Sequence, residues 1–398
     1  MHTLRLRPKE HYRIAEGHLW VFRDELVQPL PKISTEASGL PVDDLVAVES
    51  NDGKPLGVGF YNPTSKIAVR MLGTDTTTID ANFFAERFAS ALALRQRMMP
   101  HEEAYRLVFG EADLLSGLII DIYGSVAVLQ MLAAGMDRRR DMIVEALLQT
   151  LPHLTGVVER NSMKVREKEG LEMRDGIVWG TVPDRVRFTE NGILLEVDLI
   201  GGQKTGYFLD QKTNRAFIGK LSAGKRVLDC FCNVGGFALN AAAGGATLAV
   251  GVDSSAVAIQ AAEHHALLNE LPNCRFEQAN VFDLLRQYVD EGQTWDIVIL
   301  DPPSFAKSRQ ALSGARAGYA ELNRTALKLL RPGGLLVSAS CTQLVPEHDL
   351  MDIIYTEAAR LRRRLRLVHR GEQAADHPVL LAMPETQYLK FLVFDVLA

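Results

Sequence analysis

Residues 226–253 read Arg-Val-Leu-Asp-Cys-Phe-Cys-Asn-Val-Gly-Gly-Phe-Ala-Leu-Asn-Ala-Ala-Ala-Gly-Gly-Ala-Thr-Leu-Ala-Val-Gly-Val-Asp. A short apolar strand ends at Asp229, a glycine-containing turn opens an alanine-rich helix, and a second apolar strand ends at Asp253. Open α/β sheets bind ligands at the carboxyl ends of their strands, so both carboxylates are expected to face a ligand. The stretch therefore predicts a strand, turn, helix and strand unit that holds a cofactor.

Predicted strands and helices alternate along the chain after about Val186. The predicted strands are at 226–230, 248–252, 275–278, 296–300, 335–340, 365–368 and 389–396. One predicted helix follows the first strand directly, and the others lie at 256–269, 282–288, 315–330 and 347–361. This alternation is typical of a doubly wound parallel sheet, so residues 186–398 are expected to form one α/β domain.

Two smaller modules are predicted before this domain. In residues 1–73, runs of alternating polarity between turn residues predict a mostly β module, with a loop at 29–41 and strands at 4–6, 45–48, 56–60 and 67–71. Residues 74–185 predict an α+β domain, with a helix through Phe83 and Phe88, a second helix at 137–148, and strands at 118–122, 126–132 and near Val157. Its polar stretch 160–170 is either a loop facing substrate phosphates or a solvated connection.

Composition and charge exclude several classes of protein. In 398 residues with 47% hydrophobic and 23% charged content, no apolar run approaches the roughly 20 residues of a membrane span, and the start lacks a signal-peptide core. Four cysteines do not make a disulfide framework, and the Cys230/Cys232 spacing lacks the partners of a metal site. We therefore expect a cytoplasmic protein without a membrane partner or a metal.

The formal net charge of −5 argues against binding nucleic acid by bulk charge alone, although a local basic face is compatible with it. The candidate face is a run of arginines with no acidic residue among them: Arg360, Arg362, Arg363, Arg364, Arg366 and Arg370. By itself such a run is typical of a solvated helix end.

The first turn discriminates between two cofactor classes. A dinucleotide site needs Gly-x-Gly-x-x-Gly after the first strand, and residues 232–237 do not have that spacing. Asp229 would also repel a pyrophosphate, whereas it suits the cationic amino-acid end of S-adenosylmethionine. A later strand delivers Asp301 into the same crevice, followed by Pro302 and Pro303. In methyltransferases an Asp/Asn-Pro-Pro loop holds the planar base to be methylated, so S-adenosylmethionine is favoured.

Cys341 ends the predicted fifth strand and should emerge in the same crevice as Asp301. Carbon 5 of a pyrimidine is a weak nucleophile until a thiolate adds to carbon 6, which makes carbon 5 able to attack a sulfonium methyl group. Enzymes that methylate amines need no thiol and usually place an aromatic residue directly after the two prolines. Here Ser304 holds that place and Phe305 comes one residue later, so the pattern favours methylation of carbon.

These motifs together resemble the class I S-adenosylmethionine-dependent methyltransferases that make 5-methylcytosine in large-subunit ribosomal RNA. The family combines a PUA domain, a small middle domain and a Rossmann-like, seven-stranded catalytic domain. The resemblance covers nearly the whole chain, through residues 17–22, 59–63, 109–118, 202–211, 229–237, 301–305 and 340–342. The domain boundaries are set at 1–73, 74–185 and 186–398. The resemblance implies ribosomal RNA as the partner, and a homodimer is left open because the sequence does not give the oligomeric state.

The resemblance also implies roles for individual residues. Cys341 would be the nucleophile and Asp301 would hydrogen-bond the cytosine edge. The S-adenosylmethionine site would be lined by Asp229, Phe231, Asn233, Gly235, Asp253, Ser254, Asn280, Phe208 and Gln211. The PUA likeness implies that the first domain binds RNA, and it makes the arginines between 360 and 370 candidate phosphate contacts.

Three positions depart from the family pattern. Asn280 stands where an acid usually accepts from the adenine amino group, and its amide oxygen is expected to accept instead. Thr342 replaces a common serine and keeps the hydroxyl. Ser304 occupies the place where related two-cysteine enzymes carry their second cysteine, which leaves the base that removes the carbon 5 proton unassigned.

Two other functions stay open from the sequence. One is methylation of an exocyclic amine on RNA, such as guanine N2, which would make Cys341 a structural residue. The other is an RNA-binding assembly factor that keeps the cofactor pocket but performs no chemistry. Identification of the methylated nucleoside discriminates among the three.

Overall fold

A computed structural model describes residues 1–30, 44–74, 78–202, 205–306 and 308–397. The chain divides into two compact units. The first contains Met1–Phe188, Glu196–Leu209 and Ala375–Thr386. The second contains Thr189–Leu195, Asp210–Ala374 and Gln387–Ala398. Both of the predicted small modules therefore fall in the first unit.

The N-terminal part of the first unit is a five-stranded sheet with the order β1-β3-β4-β5-β2. Its elements are β1 (His2–Arg5), α1 (His11–Ala15), β2 (Trp20–Phe22), β3 (Leu45–Glu49), β4 (Pro55–Tyr61) and β5 (Ile67–Gly73). The β prediction is confirmed, except that β2 was missed because three successive large apolar residues show no alternation. Most of the predicted loop at 29–41 lies outside the described residues.

The middle part is a second five-stranded sheet, with the order β10-β9-β8-β7-β6. Its elements are α2 (Ala81–Met98), β6 (Ala104–Phe109), β7 (Leu118–Tyr123), β8 (Val126–Met131), α3 (Ala134–Asp137), α4 (Arg140–Thr150), β9 (Gly156–Arg160) and β10 (Asp175–Gly180). Helix α2 begins where the Asp80 carboxylate accepts from the Phe83 N–H at 2.9 Å, a side-chain cap. It buries Phe84 and Phe88 completely, which confirms the predicted apolar face.

The polar stretch 160–170 exposes Lys164 and Lys168, as a solvated connection does, whereas Arg160 and Arg166 are bound within the protein. Arg166 is fully buried and donates to the Asp137 carboxylate at 2.8 Å. Arg160 donates to the carbonyl oxygen of Leu199 at 3.1 Å. These two arginines therefore satisfy buried acceptors, which a buried guanidinium must do to offset its desolvation.

Buried charged groups join the first two sheets within this unit. Arg70, 8% exposed, donates to Glu169 at 3.0 Å. Asn62 donates to the same carboxylate at 3.0 Å, and the Trp20 indole donates to Glu111 at 2.9 Å. The conspicuous sequence motifs of the first two modules thus supply contacts between those modules.

The second unit contains a seven-stranded sheet with the order β15-β14-β13-β16-β17-β19-β18. In the sequence, a hairpin of β11 (Val186–Glu190) and β12 (Ile193–Val197) precedes this sheet. The strands of the seven-stranded sheet are β13 (Arg226–Cys230), β14 (Leu248–Asp253), β15 (Cys274–Gln278), β16 (Trp295–Leu300), β17 (Leu330–Ser340), β18 (Arg364–Gly371) and β19 (Lys390–Leu397). Its helices are α5 (Lys212–Leu221), α6 (Gly236–Ala243), α7 (Ala256–Leu268), α8 (Val281–Asp290), α9 (Leu312–Leu329) and α10 (Glu347–Arg360). The predicted order is confirmed, and α5 was missed.

The sheet is mixed rather than wholly parallel, which corrects the prediction of a parallel sheet. Strand β19 runs antiparallel to both of its neighbours, β17 and β18. Parallel neighbours need a crossover, usually a helix, whereas the segment between β18 and β19 contains only a short 3-10 turn at Pro384–Thr386. All six residues of β16 are buried, so the core lies along the sheet centre. No helix among the described residues is long and apolar enough to cross a membrane.

Candidate active site

Four predicted site residues lie at the carboxyl ends of adjacent strands. Asp229 is near the end of β13, Asp253 ends β14, Asp301 follows β16 and Cys341 follows β17. The parallel pairing β14-β13-β16-β17 places these strand ends along one edge of the sheet. This edge is where an open α/β sheet binds ligands.

Asp229 is completely buried. One carboxylate oxygen accepts from the Ala238 N–H at 3.0 Å, and the other, Oδ1, is buried without a hydrogen-bond partner. Burial raises the pKa of Asp229 to about 7, against the lowering effect of the Ala238 N–H, and the nearby Asp301 charge raises it further. A buried carboxylate in this state favours a cationic ligand.

The turn after β13 is shaped by left-handed backbone conformations. Phe231, Asn233 and Gly235 have φ angles of 65°, 49° and 89°. The Asn233 N–H donates to Asp253 Oδ2 at 3.0 Å, and the other oxygen of Asp253 accepts from the Ser255 N–H at 2.9 Å. The turn and the tip of β14 are therefore held together at the start of α6.

Gly235→Ala is expected to destabilise the protein by about 3 kcal/mol, because left-handed strain and overpacking each cost on the order of 1–2 kcal/mol. A Cβ at position 235 would lie 2.8 Å from the Phe276 ring. The matched control is Gly292→Ala, where φ is +69° and no atom lies within 4 Å of the added Cβ. Denaturant unfolding should show a clearly smaller loss for the control. Equal losses would contradict the steric argument.

The other predicted cofactor residues lie in different surroundings. Asn280 caps α8, because its Oδ1 accepts from the Phe282 N–H at 2.9 Å, so the oxygen expected to accept from adenine already accepts from the backbone. Ser254 follows Asp253 directly. Phe208 belongs to the first compact unit, whereas the other predicted site residues belong to the second.

The residues at this edge fit S-adenosylmethionine. The unpaired Oδ1 of Asp229 can accept from the amino group of the cofactor, and pairing with that cation offsets the cost of the buried charge. Asp253 follows the second strand, where an acid binds ribose hydroxyls in this class of sheet.

Asp301 is held by a chain of amide groups. Gln211 Nε2 donates to Asp301 Oδ2 at 3.0 Å, and Asn214 Nδ2 donates to Gln211 Oε1 at 2.7 Å. Gln211 and Asn214 are both buried. Gln211, predicted as a cofactor residue, thus orients the Asp301 carboxylate.

Cys341 is half-buried between two completely buried residues, Ser340 and Thr342. The Tyr319 hydroxyl bonds to the hydroxyls of Ser340 at 2.8 Å and Thr342 at 3.0 Å. Ser304, in the loop after Asp301, bonds to the Thr342 hydroxyl at 3.2 Å. The structure thereby joins the Asp301 loop to the Cys341 strand end and fixes the backbone on both sides of the thiol.

Sequence reasoning missed Tyr319 and Lys390 as parts of this site. Tyr319 comes from the middle of α9, and Lys390 begins β19 and donates to the Thr342 carbonyl oxygen at 2.8 Å. Neither residue stands in a recognisable motif. The only available signal for Lys390 was a cation directly before the apolar run Phe391, Leu392, Val393 and Phe394.

The arginine run at 360–370 is largely engaged within the second unit. Three ion pairs are formed by Arg360 with Glu357, Arg366 with Asp395, and Arg370 with Glu347. All three arginine side chains are more than half exposed, but Glu357, the partner of Arg360, is only 2% exposed. The partners of Arg366 and Arg370 are 21% and 41% exposed, and exposed ion pairs contribute little free energy. Arg366 and Arg370 can therefore exchange their carboxylate partners for other anions at low cost.

Comparison with known proteins agrees with this geometry. A family model described as S-adenosylmethionine-dependent methyltransferase matches residues 177–394. A second model, described as a PUA-like domain, matches residues 4–74. The first model covers more than half of the chain.

Two relatives resemble the chain over its length. Proteins named ribosomal RNA large subunit methyltransferase I from Shewanella frigidimarina and Shewanella denitrificans are 39% and 40% identical, each over 99% of both chains. A solved structure from Streptococcus mutans, described as a SAM-dependent methyltransferase, superposes with a TM-score of 0.84 at 23% identity, covering 99% of this chain and 100% of that one. That likeness concerns the fold alone. By its catalytic domain and its full-length relatives, this chain belongs to the S-adenosylmethionine-dependent methyltransferases of the ribosomal RNA large subunit methyltransferase I family.

Proposed function

We propose that the protein methylates carbon 5 of a cytosine in large-subunit ribosomal RNA through a covalent adduct with Cys341. The RNA class is supported by the names of the full-length relatives. The observation that carries the reaction is the hydrogen bond between Ser304 and Thr342, which brings the Asp301 loop beside the half-buried Cys341.

The reaction requires a nucleophile because carbon 5 of cytosine does not attack an electrophile unaided. The Cys341 thiolate adds to carbon 6, and the electron pair of the 5,6 double bond becomes available at carbon 5. S-adenosylmethionine, when bound, supplies an electrophilic methyl group. Loss of the carbon 5 proton then restores the double bond and expels the thiolate.

Asp301 has the role of holding the cytosine edge. The hydrogen bond from Gln211 fixes one carboxylate oxygen, so the carboxyl group has a defined direction before substrate arrives. Such pre-orientation lowers the entropic cost of placing carbon 6 near the thiol. In its protonated form Asp301 donates its proton to N3 of the ring, which withdraws electrons from carbon 6 and favours thiolate addition.

Methylation of an exocyclic amine is the less favoured alternative. In that chemistry the aromatic residue of the Asp-Pro-Pro loop stacks on the base. Here Phe305 packs against the core, with its ring centroid 5.0 Å from that of Tyr319. Ser304 takes the adjacent position and bonds to Thr342.

RNA binding is assigned to two surfaces in this proposal. The PUA-like domain at residues 4–74 is the first. The exposed arginines of the 360–370 run are the second, and they would contact phosphates without reading sequence. A homodimer, which the sequence leaves open, is tested by the mass of the protein in solution.

The proposal is tested with ribosomal RNA that carries tritium at carbon 5 of cytidine. Incubation with methyl-labelled S-adenosylmethionine should release one tritium for each methyl group incorporated, and digestion should yield 5-methylcytidine. Methyl incorporation without tritium release would indicate the amine chemistry. Cofactor binding without incorporation into any large-subunit RNA would indicate an assembly factor and contradict the proposal.

A further inference from the structure

Lys390 lies beside the proposed nucleophile. It pairs with Ser340 in the antiparallel register of β17 and β19. Its Nζ donates to the Thr342 carbonyl oxygen at 2.8 Å. The Lys390 backbone is therefore paired with the residue before Cys341, and its amine is bound to the residue after Cys341.

The surroundings of this amine do not supply a matched counter-charge. Among the described residues, no carboxylate forms an ion pair with Lys390. The nearby Glu347 is paired with Arg370 at 2.9 Å. Burial of Lys390 lowers its pKa to about 8, although the charges of Cys341 and Glu347 oppose that lowering. A partly desolvated ammonium bound to a neutral carbonyl gains stability from any anion placed beside it.

A free thiol has a pKa of roughly 8.5, so it is mostly protonated at neutral pH, and a neighbouring cation favours its ionised form. We propose that the Lys390 ammonium ion keeps Cys341 ionised by stabilising its thiolate. The S–H bond breaks with its electron pair left on sulfur, and the proton passes to water. The inference rests on the proposed function in assigning the nucleophile to Cys341.

Lys390 also offsets a local excess of negative charge. Asp301 emerges from the neighbouring strand, and an anion there disfavours a second anion at Cys341. Around Cys341, the ionisable groups on the neighbouring elements are Lys390 on β19, Arg370 on β18, Glu347 on α10, Glu372 after β18, Tyr319 on α9 and Asp301 after β16. Of these, the two cations are Arg370, already paired with Glu347, and Lys390.

Lys390 is accessible from outside. It lies on the wall of a cavity of about 550 Å³ that is also lined by Gln343, Pro346, Glu347, Arg370, Gly371, Glu372, Gln387 and Leu389. Cys341 itself is partly exposed, so a small alkylating reagent can reach its thiol. The other three cysteines are buried, and burial raises their pKa values, so they react slowly.

The test is the pH profile of Cys341 alkylation by iodoacetamide in the full chain, without RNA, followed by mass spectrometry of the Cys341 peptide. Lys390→Gln removes the charge but keeps an N–H donor for the Thr342 carbonyl, and Lys390→Arg keeps both. The control Arg370→Met removes a cation from the same cavity wall. Melting temperature and cofactor binding report whether each variant is folded.

Lys390→Gln should raise the midpoint of the alkylation profile by about one pH unit and slow alkylation at neutral pH about tenfold. Arg370→Met should keep the wild-type midpoint. Lys390→Arg should have the wild-type midpoint or a lower one. An unchanged midpoint in Lys390→Gln, or an equal shift in Arg370→Met, would overturn the inference. Because the assay contains no RNA, its result is independent of which nucleoside the enzyme methylates.

Discussion

Replacing Cys341 by alanine is expected to lower the rate of RNA methylation by at least about 10³-fold, because the variant has no group that can add to carbon 6. Binding of S-adenosylmethionine should be unchanged, since Asp229 and Asp253 belong to other strands. The measurement is single-turnover methyl transfer to large-subunit RNA, together with calorimetry of cofactor binding. Full activity in the variant would remove Cys341 from the mechanism.

Cys274→Ala is the matched control for this experiment. Cys274 lies on β15 in the same unit, and burial raises the pKa of its thiol to about 12, so it is a poor nucleophile. This variant should retain its methylation rate. RNA containing 5-fluorocytidine gives a second readout, because fluorine at carbon 5 prevents the final elimination and should leave the wild-type protein covalently attached to RNA. Cys341→Ala should give no such complex.

Cofactor binding is expected to strengthen with rising pH, approaching tenfold for each pH unit below about pH 7. The raised pKa of Asp229 means that its carboxyl is protonated in the free protein below pH 7. A cationic amino group pairs only with the ionised form, so binding must release that proton. Calorimetry between about pH 5.5 and about pH 7.5 measures this linkage.

Two variants locate the effect. Asp229→Asn should bind the cofactor weakly and with little pH dependence, whereas Asp253→Asn should bind weakly but keep the dependence. The same carboxyl group also makes the free energy of unfolding depend on pH. The folded protein binds the Asp229 proton more tightly than the unfolded chain, so its contribution to the free energy of unfolding falls as pH rises from 3.8 to about 7. A pH-independent affinity in wild-type protein would contradict this role.

Much of the catalytic sheet was predictable because its strands and helices have regular local patterns. The strand ending at Asp229 and the buried strand before Asp301 are short apolar runs bounded by turn residues, and both lie where expected. Local pattern did not predict β2 of the N-terminal sheet, which is too short to alternate. It also did not predict the direction of β19, which depends on the connection before that strand. Strand direction is a property of the path of the chain, and residue type does not encode it.

The site follows the same division. Asp229, Asp301 and Cys341 stand at the ends of predicted strands, so the sequence alone determined the candidate chemistry and the cofactor class. By contrast, the sequence predicted Gln211 only as a cofactor residue, and the hydrogen bond from Gln211 to Asp301 was not predicted. Lys390 reaches the site from a strand that begins 49 residues after Cys341. That placement depends on the antiparallel pairing of β17 with β19, and only long-range strand pairing could bring an amine beside the thiol.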